Sequence, residues 1–254
     1  MEPLADIIKV YFITIIRYSI LAGIPFLFFY KFFKNKFLKN KIQEKVSGNK
    51  EFRSEFIHSA QASIVLAAVG FLFIFTPLKN YTLIYTKISM YPVWWIPVSL
   101  LLALILHDTY FYWMHRLLHN KTIFPIAHVI HHKSTNPSPW ASYSFHFIEA
   151  FTEALILPII LFTLPVHPIT IFLFSFVSFF INVYGHLGFE IAPKWFRKSF
   201  LFEVLNSSVY HNLHHRKFKG NYALYFRIWD RLLKTEHPDY VAEYDKIQHN
   251  RFGN

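Results

Sequence analysis

The chain has 254 residues, 54% of them hydrophobic and 20% aromatic, with a net charge of +11 and no cysteine. Charged residues make up 16%, against about 25% in soluble domains, and they fall in blocks. That pattern argues against both a soluble globular domain and wholesale disorder. Without cysteine there is no disulfide framework, thiolate zinc site, cysteine-ligated cluster or cysteine nucleophile. What needs a reason is the 15 histidines.

A bilayer core requires about 20 mainly apolar residues per helix. Residues 10–30 meet that length with Arg17 as the one internal charge, residues 60–78 carry no charge before Lys79, and residues 91–106 are uncharged and run on into a polar helical continuation. The N-terminal segment has no small-residue cleavage site and is too long for a signal peptide, so it is kept as a membrane helix. Residues 154–185 contain no Asp, Glu, Lys or Arg. Pro165 and Pro168 around His167 divide that stretch into two helices joined by a tight turn. The first of them opens near Phe145, with Glu149 and Glu153 at its interfacial end, and crosses only in part.

Between the first two helices lie Lys31, Lys34, Lys36, Lys39, Lys41, Lys45, Lys50 and Arg53. The next loop has only Lys79 and Lys87. The positive-inside rule then places the basic loop, residues 116–150 and residues 186–254 in the cytoplasm. The basic excess is thereby assigned to topology and lipid headgroups rather than to nucleic acid. The expected fold is all-α: an integral membrane protein with about four transmembrane helices and a cytoplasmic histidine-rich helical cap. It forms a single membrane-embedded domain over 1–254, with the membrane helices and basic loop in 1–99, the histidine region in 100–235 and a polar tail in 236–254.

Histidine spacing carries the chemistry. His115 and His119 stand at i and i+4; His128, His131 and His132, and again His211, His214 and His215, stand at i, i+3 and i+4. Such positions share a helix face, which is how a helix builds a metal site. A single interfacial histidine more often makes routine hydrogen bonds, but two HxxHH patterns and one HxxxH on one membrane face reverse that expectation. A structural zinc site closes with four ligands; eight or more imidazoles exceed one such ion, so two metals are the economical explanation. Imidazole suits iron, copper and zinc alike.

Other residues are candidates for the ligand set or its immediate support. Asp108, seven residues before His115, either accepts the second N–H of a ligand imidazole or pairs with a cation such as Arg116. His107 is deep and faces elsewhere. His186 and Glu190 stand at i and i+4 at the end of the last helix, with Asn182 one turn below, and His146 precedes Glu149. His58, His167, His237 and His249 are assigned no chemistry. Trp94, Trp95, Phe145, Phe174, Phe176, Phe179 and Phe180 are candidates to line a lipid tunnel.

The order HxxxH, HxxHH, HxxHH on membrane helices resembles the fatty acid hydroxylase and sterol desaturase superfamily. The likeness extends to the run from His107 to His119, the loop ending at Trp140, the segment carrying His146, the Asn182-Val-Tyr-Gly-His186 motif, Asn221-Tyr222 and Trp229-Asp230-Arg231. Ala223 and Lys234 stand where glycine is usual, and Phe147 where proline is common. The resemblance implies a non-haem di-iron centre, two iron ions with zinc conceivable in isolated protein, held by His115, His119, His128, His131, His132, His186, His211, His214 and His215. It implies a membrane lipid substrate hydroxylated or desaturated with O2 at an unactivated C–H bond. Two electrons would come from a separate donor, a b-type cytochrome or a ferredoxin with its reductase, docked where Arg216, Lys217 and Lys219 lie. Against this stand two alternatives, a zinc-dependent membrane hydrolase and a non-enzymatic metal transporter or sensor.

Overall fold

A computed structural model describes residues 2–45 and 47–253. Among them there is no strand, only three isolated bridges. Four helices are long and apolar enough to cross a bilayer. The first, α1 (Glu2–Phe26), runs on through a π-helical turn at Leu27–Phe32; the others are α2 (Asn49–Phe75), α3 (Trp95–Leu118) and, after several short helices, α7 (Pro168–Gly185). Large apolar side chains such as Ile13, Ile64, Leu101 and Phe172 project outward from these four helices, as expected of helices solvated by lipid rather than water.

The bundle closes through aromatic and small residues. Tyr18 and Ala22 of α1 are fully buried against Phe179 and Val183 of α7, and the Tyr18 hydroxyl donates to the Trp140 carbonyl at 2.8 Å. Between α3 and α7 lie α4 (Val129–His132), α5 (Phe147–Ala154) and α6 (Ile156–Thr163). The segment expected to open a membrane helix near Phe145 is therefore two eight-residue helices, each too short to span, and the fourth span is α7. On the face remote from the histidines the turn before α7 is pinned: Leu83 N–H donates to Leu161 O, Tyr85 N–H to Val166 O, and Trp95 Nε1–H to Pro165 O.

The opposite face carries the cap, built from α4, α8 (Phe200–Val204), α9 (Ser208–Lys217), α10 (Ile228–Leu232) and α11 (Tyr240–Phe252). The basic loop lies across this same face. Asn40 is bonded twice to Glu190, through backbone and side chain, Ile42 N–H reaches Gly188 O, and Gln43 Nε2 donates to Thr135 O and Asn212 Oδ1. Most of the expected polar tail is α11, whose Tyr240, Tyr244 and Ile247 are buried with Phe202, Tyr210 and Leu213. Spaced i, i+4, i+7, they form one apolar helix face.

Candidate metal centre

The nine histidines converge beneath the cap as two groups, His115, His119, His128, His132 and His214 in one, and His131, His186, His211 and His215 in the other. In the first, Nε2 atoms stand 3.1 Å apart for His115–His128, His119–His132 and His132–His214, and 3.2 Å for His119–His214. In the second the separations are 3.1 Å for His186–His211 and His211–His215, and 3.4 Å for His131–His186.

Backbone carbonyls determine what these nitrogens present. The Nδ1–H of His115 donates to Tyr222 O at 2.8 Å, that of His186 to Asn182 O at 2.8 Å, that of His214 to Gly220 O at 2.7 Å and that of His215 to Ser134 O at 3.0 Å. A carbonyl can only accept, so each of these Nδ1 atoms carries the proton and each neutral Nε2 is a lone pair. His128 Nδ1 lies 2.7 Å from Glu149 Oε1, both side chains being buried; burial raises the Glu149 carboxyl well above the usual carboxylate range, and in its ionised form it turns His128 the same way. Burial foremost, together with neighbouring imidazoles, holds His119, His128, His131, His132, His211, His214 and His215 below the ordinary histidine pKa; His186 is lowered to about 4. Lone pairs at 3.1 Å, as between His115 and His128, are no hydrogen bond. Nitrogens bound about 2.1 Å from one ion stand roughly 3 to 3.4 Å apart at neighbouring positions, the spacing found in both groups. The residues therefore fit two metal ions with neutral imidazole ligands.

Each HxxHH box is divided between the groups. His128 and His132 go to one and His131 to the other; His211 and His215 go to the second and His214 to the first. The i, i+4 pair shares a face, while its neighbour is rotated about 100° away along the helix.

Behind the imidazoles an apolar cavity of about 480 Å³ runs between α1, α2, α3, α5, α6 and α7. Phe111 and Phe145 line it next to the metal groups, their rings 4.9 Å from His115 and 5.1 Å from His131. Phe145, Phe174 and Phe179 line it, as expected; Trp94, Trp95, Phe176 and Phe180 do not, because Trp94, Phe176 and Phe180 face outward and Trp95 is engaged by Pro165.

Residues 100–235, more than half the chain, match the family model for fatty acid hydroxylase. The chain belongs to the fatty acid hydroxylase family. It is 29% identical to the Delta(7)-sterol 5(6)-desaturase ERG3B of Gibberella zeae over 84% of this chain and 61% of that one. It is 33% identical to the lathosterol oxidase of Rattus norvegicus over 61% of this chain and 51% of that one. The Delta(7)-sterol 5(6)-desaturase erg31 of Schizosaccharomyces pombe is 31% identical over 66% and 54% respectively. The chain thus spans between half and two-thirds of the length of these relatives. No solved structure matches it.

In this member of the family the remaining candidates serve elsewhere. Asp108 neither orients an imidazole nor pairs with Arg116: its Oδ1 accepts the backbone N–H groups of Leu224, Tyr225 and Phe226. Asp230 does likewise for Tyr222 and Ala223, so two carboxylates hold the loop whose carbonyls aim His115 and His214. Glu190 is outside both groups and fully buried; it accepts from Tyr184, Ala192 and Val209, fastening the start of α9. Asn182 holds Ser142 O with its side chain and His186 with its carbonyl. His146 caps α5 by accepting from Ile148 N–H and joins neither group. Glu149, expected at an interface, is instead buried against His128. The one local signal for it is a carboxylate set among Phe147, Ile148, Ala150 and Phe151. Arg216 is paired with Glu243 at 2.6 Å.

Proposed function

We propose that this protein is an oxidoreductase that hydroxylates or desaturates an unactivated C–H bond of a membrane lipid, using dioxygen and two electrons from a separate donor protein. The observation that carries the reading is the pair of imidazole groups at the end of an apolar cavity inside a membrane bundle. The names of its relatives, sterol desaturases and lathosterol oxidase, support lipid oxidation and favour desaturation. Two iron ions held by the nine histidines would supply the oxidising chemistry.

The protein's own part is to aim and to shield. Carbonyls of Asn182, Ser134, Gly220 and Tyr222 and the Glu149 carboxylate keep five imidazoles in the metal-binding tautomer. Phe111 and Phe145 line the cavity next to the imidazoles with apolar surface, so water has little foothold beside the reacting carbon. The cavity opens among helices that face lipid, so the substrate enters from the bilayer. The basic loop shares a face with the histidines, and the positive-inside rule puts that face, and the donor protein, in the cytoplasm.

The test is expression with a compatible reductase system, followed by whole-lipid mass spectrometry and metal analysis. The expected result is two irons per chain and an oxygen-dependent product, heavier by one oxygen for hydroxylation or lighter by two hydrogens for desaturation. Active protein holding zinc alone, with turnover independent of oxygen, would overturn it.

A further inference from the structure

The strap of chain between α1 and α2 borders a second cavity, of about 180 Å³, on the face that carries the cap. Tyr30 and Lys31 bring the end of the first membrane span to it, Asn49 and Phe52 the start of the second, and Phe189 the segment after α7. Lys34 and Lys41 come from the strap itself. The Tyr30 ring lies edge-on to Phe189 at 5.1 Å and to Phe52 at 5.6 Å, so the lining joins an aromatic cluster to three lysines.

Nothing in the protein balances that positive charge. Among the described residues none of the three lysines forms an ion pair. Lys41 Nζ donates to the carbonyls of Glu44 and Lys45 at 3.0 and 3.1 Å, which fix the charge without neutralising it. Partial burial foremost, and then the charge of Lys34, holds Lys41 below the ordinary lysine pKa. The strap's two carboxylates stand apart: neither Glu44 nor Glu51 lines the cavity, and Glu51 is turned back onto the Gly48 N–H. Asn49 is the first residue of α2, whose first-turn N–H groups have no acceptor within the helix and favour an anion.

We propose that this cavity binds the phosphate group of an anionic membrane lipid, with Lys31, Lys34 and Lys41 as its counter-ions. Lysine holds phosphate as a point charge, and the exposed Lys31 and Lys34 have stems long enough to bring their ammonium groups to it. Depth selects a lipid over a dissolved ion, because the cavity lies where two membrane spans leave the hydrocarbon. Basic pockets between membrane helices at that level take lipid headgroups. Tyr30, Phe52 and Phe189 offer the glycerol and first acyl carbons an apolar contact that inorganic phosphate has no means to use. General attraction of the basic loop to a charged surface differs, since it acts through all eight basic residues alike. A bound lipid would tie the strap to both spans. Asn40 and Gln43 of the same strap bond to Glu190 and Asn212, so the lipid steadies the cap from outside the metal centre. The site stands independently of the proposed reaction.

Titration followed by native mass spectrometry tests this on the detergent-purified 254-residue chain. Salt is held at about 0.15 M, where exposed charges more than about 8 Å apart are largely screened. The ligands are dioctanoyl phosphatidate, dioctanoyl phosphatidylcholine, dioctanoylglycerol and inorganic phosphate. One phosphatidate should bind per chain, about a hundredfold more tightly than dioctanoylglycerol, at roughly fivefold for each lysine. Phosphatidylcholine, whose choline cancels the charge, should bind at least about tenfold more weakly than phosphatidate. An equal concentration of inorganic phosphate should not displace phosphatidate. Lys31→Gln with Lys34→Gln should weaken phosphatidate about 25-fold and leave dioctanoylglycerol unchanged. Lys36→Gln with Lys39→Gln removes the same charge from the same strap outside the cavity, and should weaken it by less than about twofold. Equal affinity of the unmodified chain for phosphatidate and for either uncharged lipid overturns the proposal, whatever the variants do. So does displacement by inorganic phosphate, or equal loss in the two double variants, which would reduce the site to general surface charge.

Discussion

Glu149 shows how much of the metal centre depends on a residue that would touch no metal. Its carboxylate receives the His128 Nδ1–H at 2.7 Å with both side chains out of water, which fixes the ring's orientation and makes Nε2 a better donor. Partners of this kind typically change metal affinity by 10–100-fold. Glu149→Gln keeps an accepting oxygen but cannot become a carboxylate when a cation binds His128, and Glu149→Ala removes both. Retention of iron by the five-imidazole group should fall about tenfold in Glu149→Gln and further in Glu149→Ala, read by metal analysis after dialysis against a graded chelator. Lys234 concerns stability instead. Its φ is +55°, a left-handed conformation that costs a residue with a Cβ about 1–2 kcal/mol, and the resembled family usually has glycine there. Lys234→Gly should stabilise by about 1 kcal/mol after glycine's greater freedom in the unfolded chain is subtracted. That is a rise of roughly 2–4 °C in melting temperature, with metal content unchanged.

At the scale of the helix, the division of each HxxHH box is what couples the two metal groups. His131 and His132 are adjacent on α4 yet serve different groups, as do His214 and His215 on α9, so neither short helix can shift without disturbing both. The groups differ in reserve, four imidazoles against five. His131→Ala or His186→Ala leaves three ligands and should take bound iron from two ions per chain toward one, whereas His119→Ala leaves four and should lose markedly less. Equal loss in all three variants would sink the partition. The spacing that makes this possible was legible in the sequence, because i, i+4 is a property of one helix. The partition was not, because it depends on which helices face one another. Asp108 shows the same limit: its place on the His115 face of α3 could be read, but not that residues 224–226 return to occupy its carboxylate. The α11 face of Tyr240, Tyr244 and Ile247 was readable by periodicity, although the polar composition around it reads as tail. The short α6 escaped because an uncharged stretch looks the same whether it faces lipid or lines a cavity, and α5 because Glu149 and Glu153 read as the interfacial end of a longer helix.

Across the whole molecule, the basic loop and the histidines share one face by contact, not by inference from charge, since Asn40 and Gln43 bond directly to Glu190 and Asn212. Which side of the membrane that face meets then follows from a single measurement. Because the chain has no cysteine, one introduced cysteine is a unique label. Lys36 is exposed within the basic loop, and Tyr81, 76% exposed, lies on the remote face between α2 and α3. A membrane-impermeant maleimide should label Lys36→Cys only in inverted vesicles and Tyr81→Cys only in right-side-out ones. The reverse pattern would put the imidazoles on the outer face and remove the cytoplasmic donor from the scheme. It would also mean that the segment from Lys31 to Arg53, with eight basic residues, had crossed the bilayer against the positive-inside bias, while the loop bearing only Lys79 and Lys87 stayed behind. Either outcome leaves the two imidazole groups and the cavity intact, so the labelling isolates orientation from chemistry.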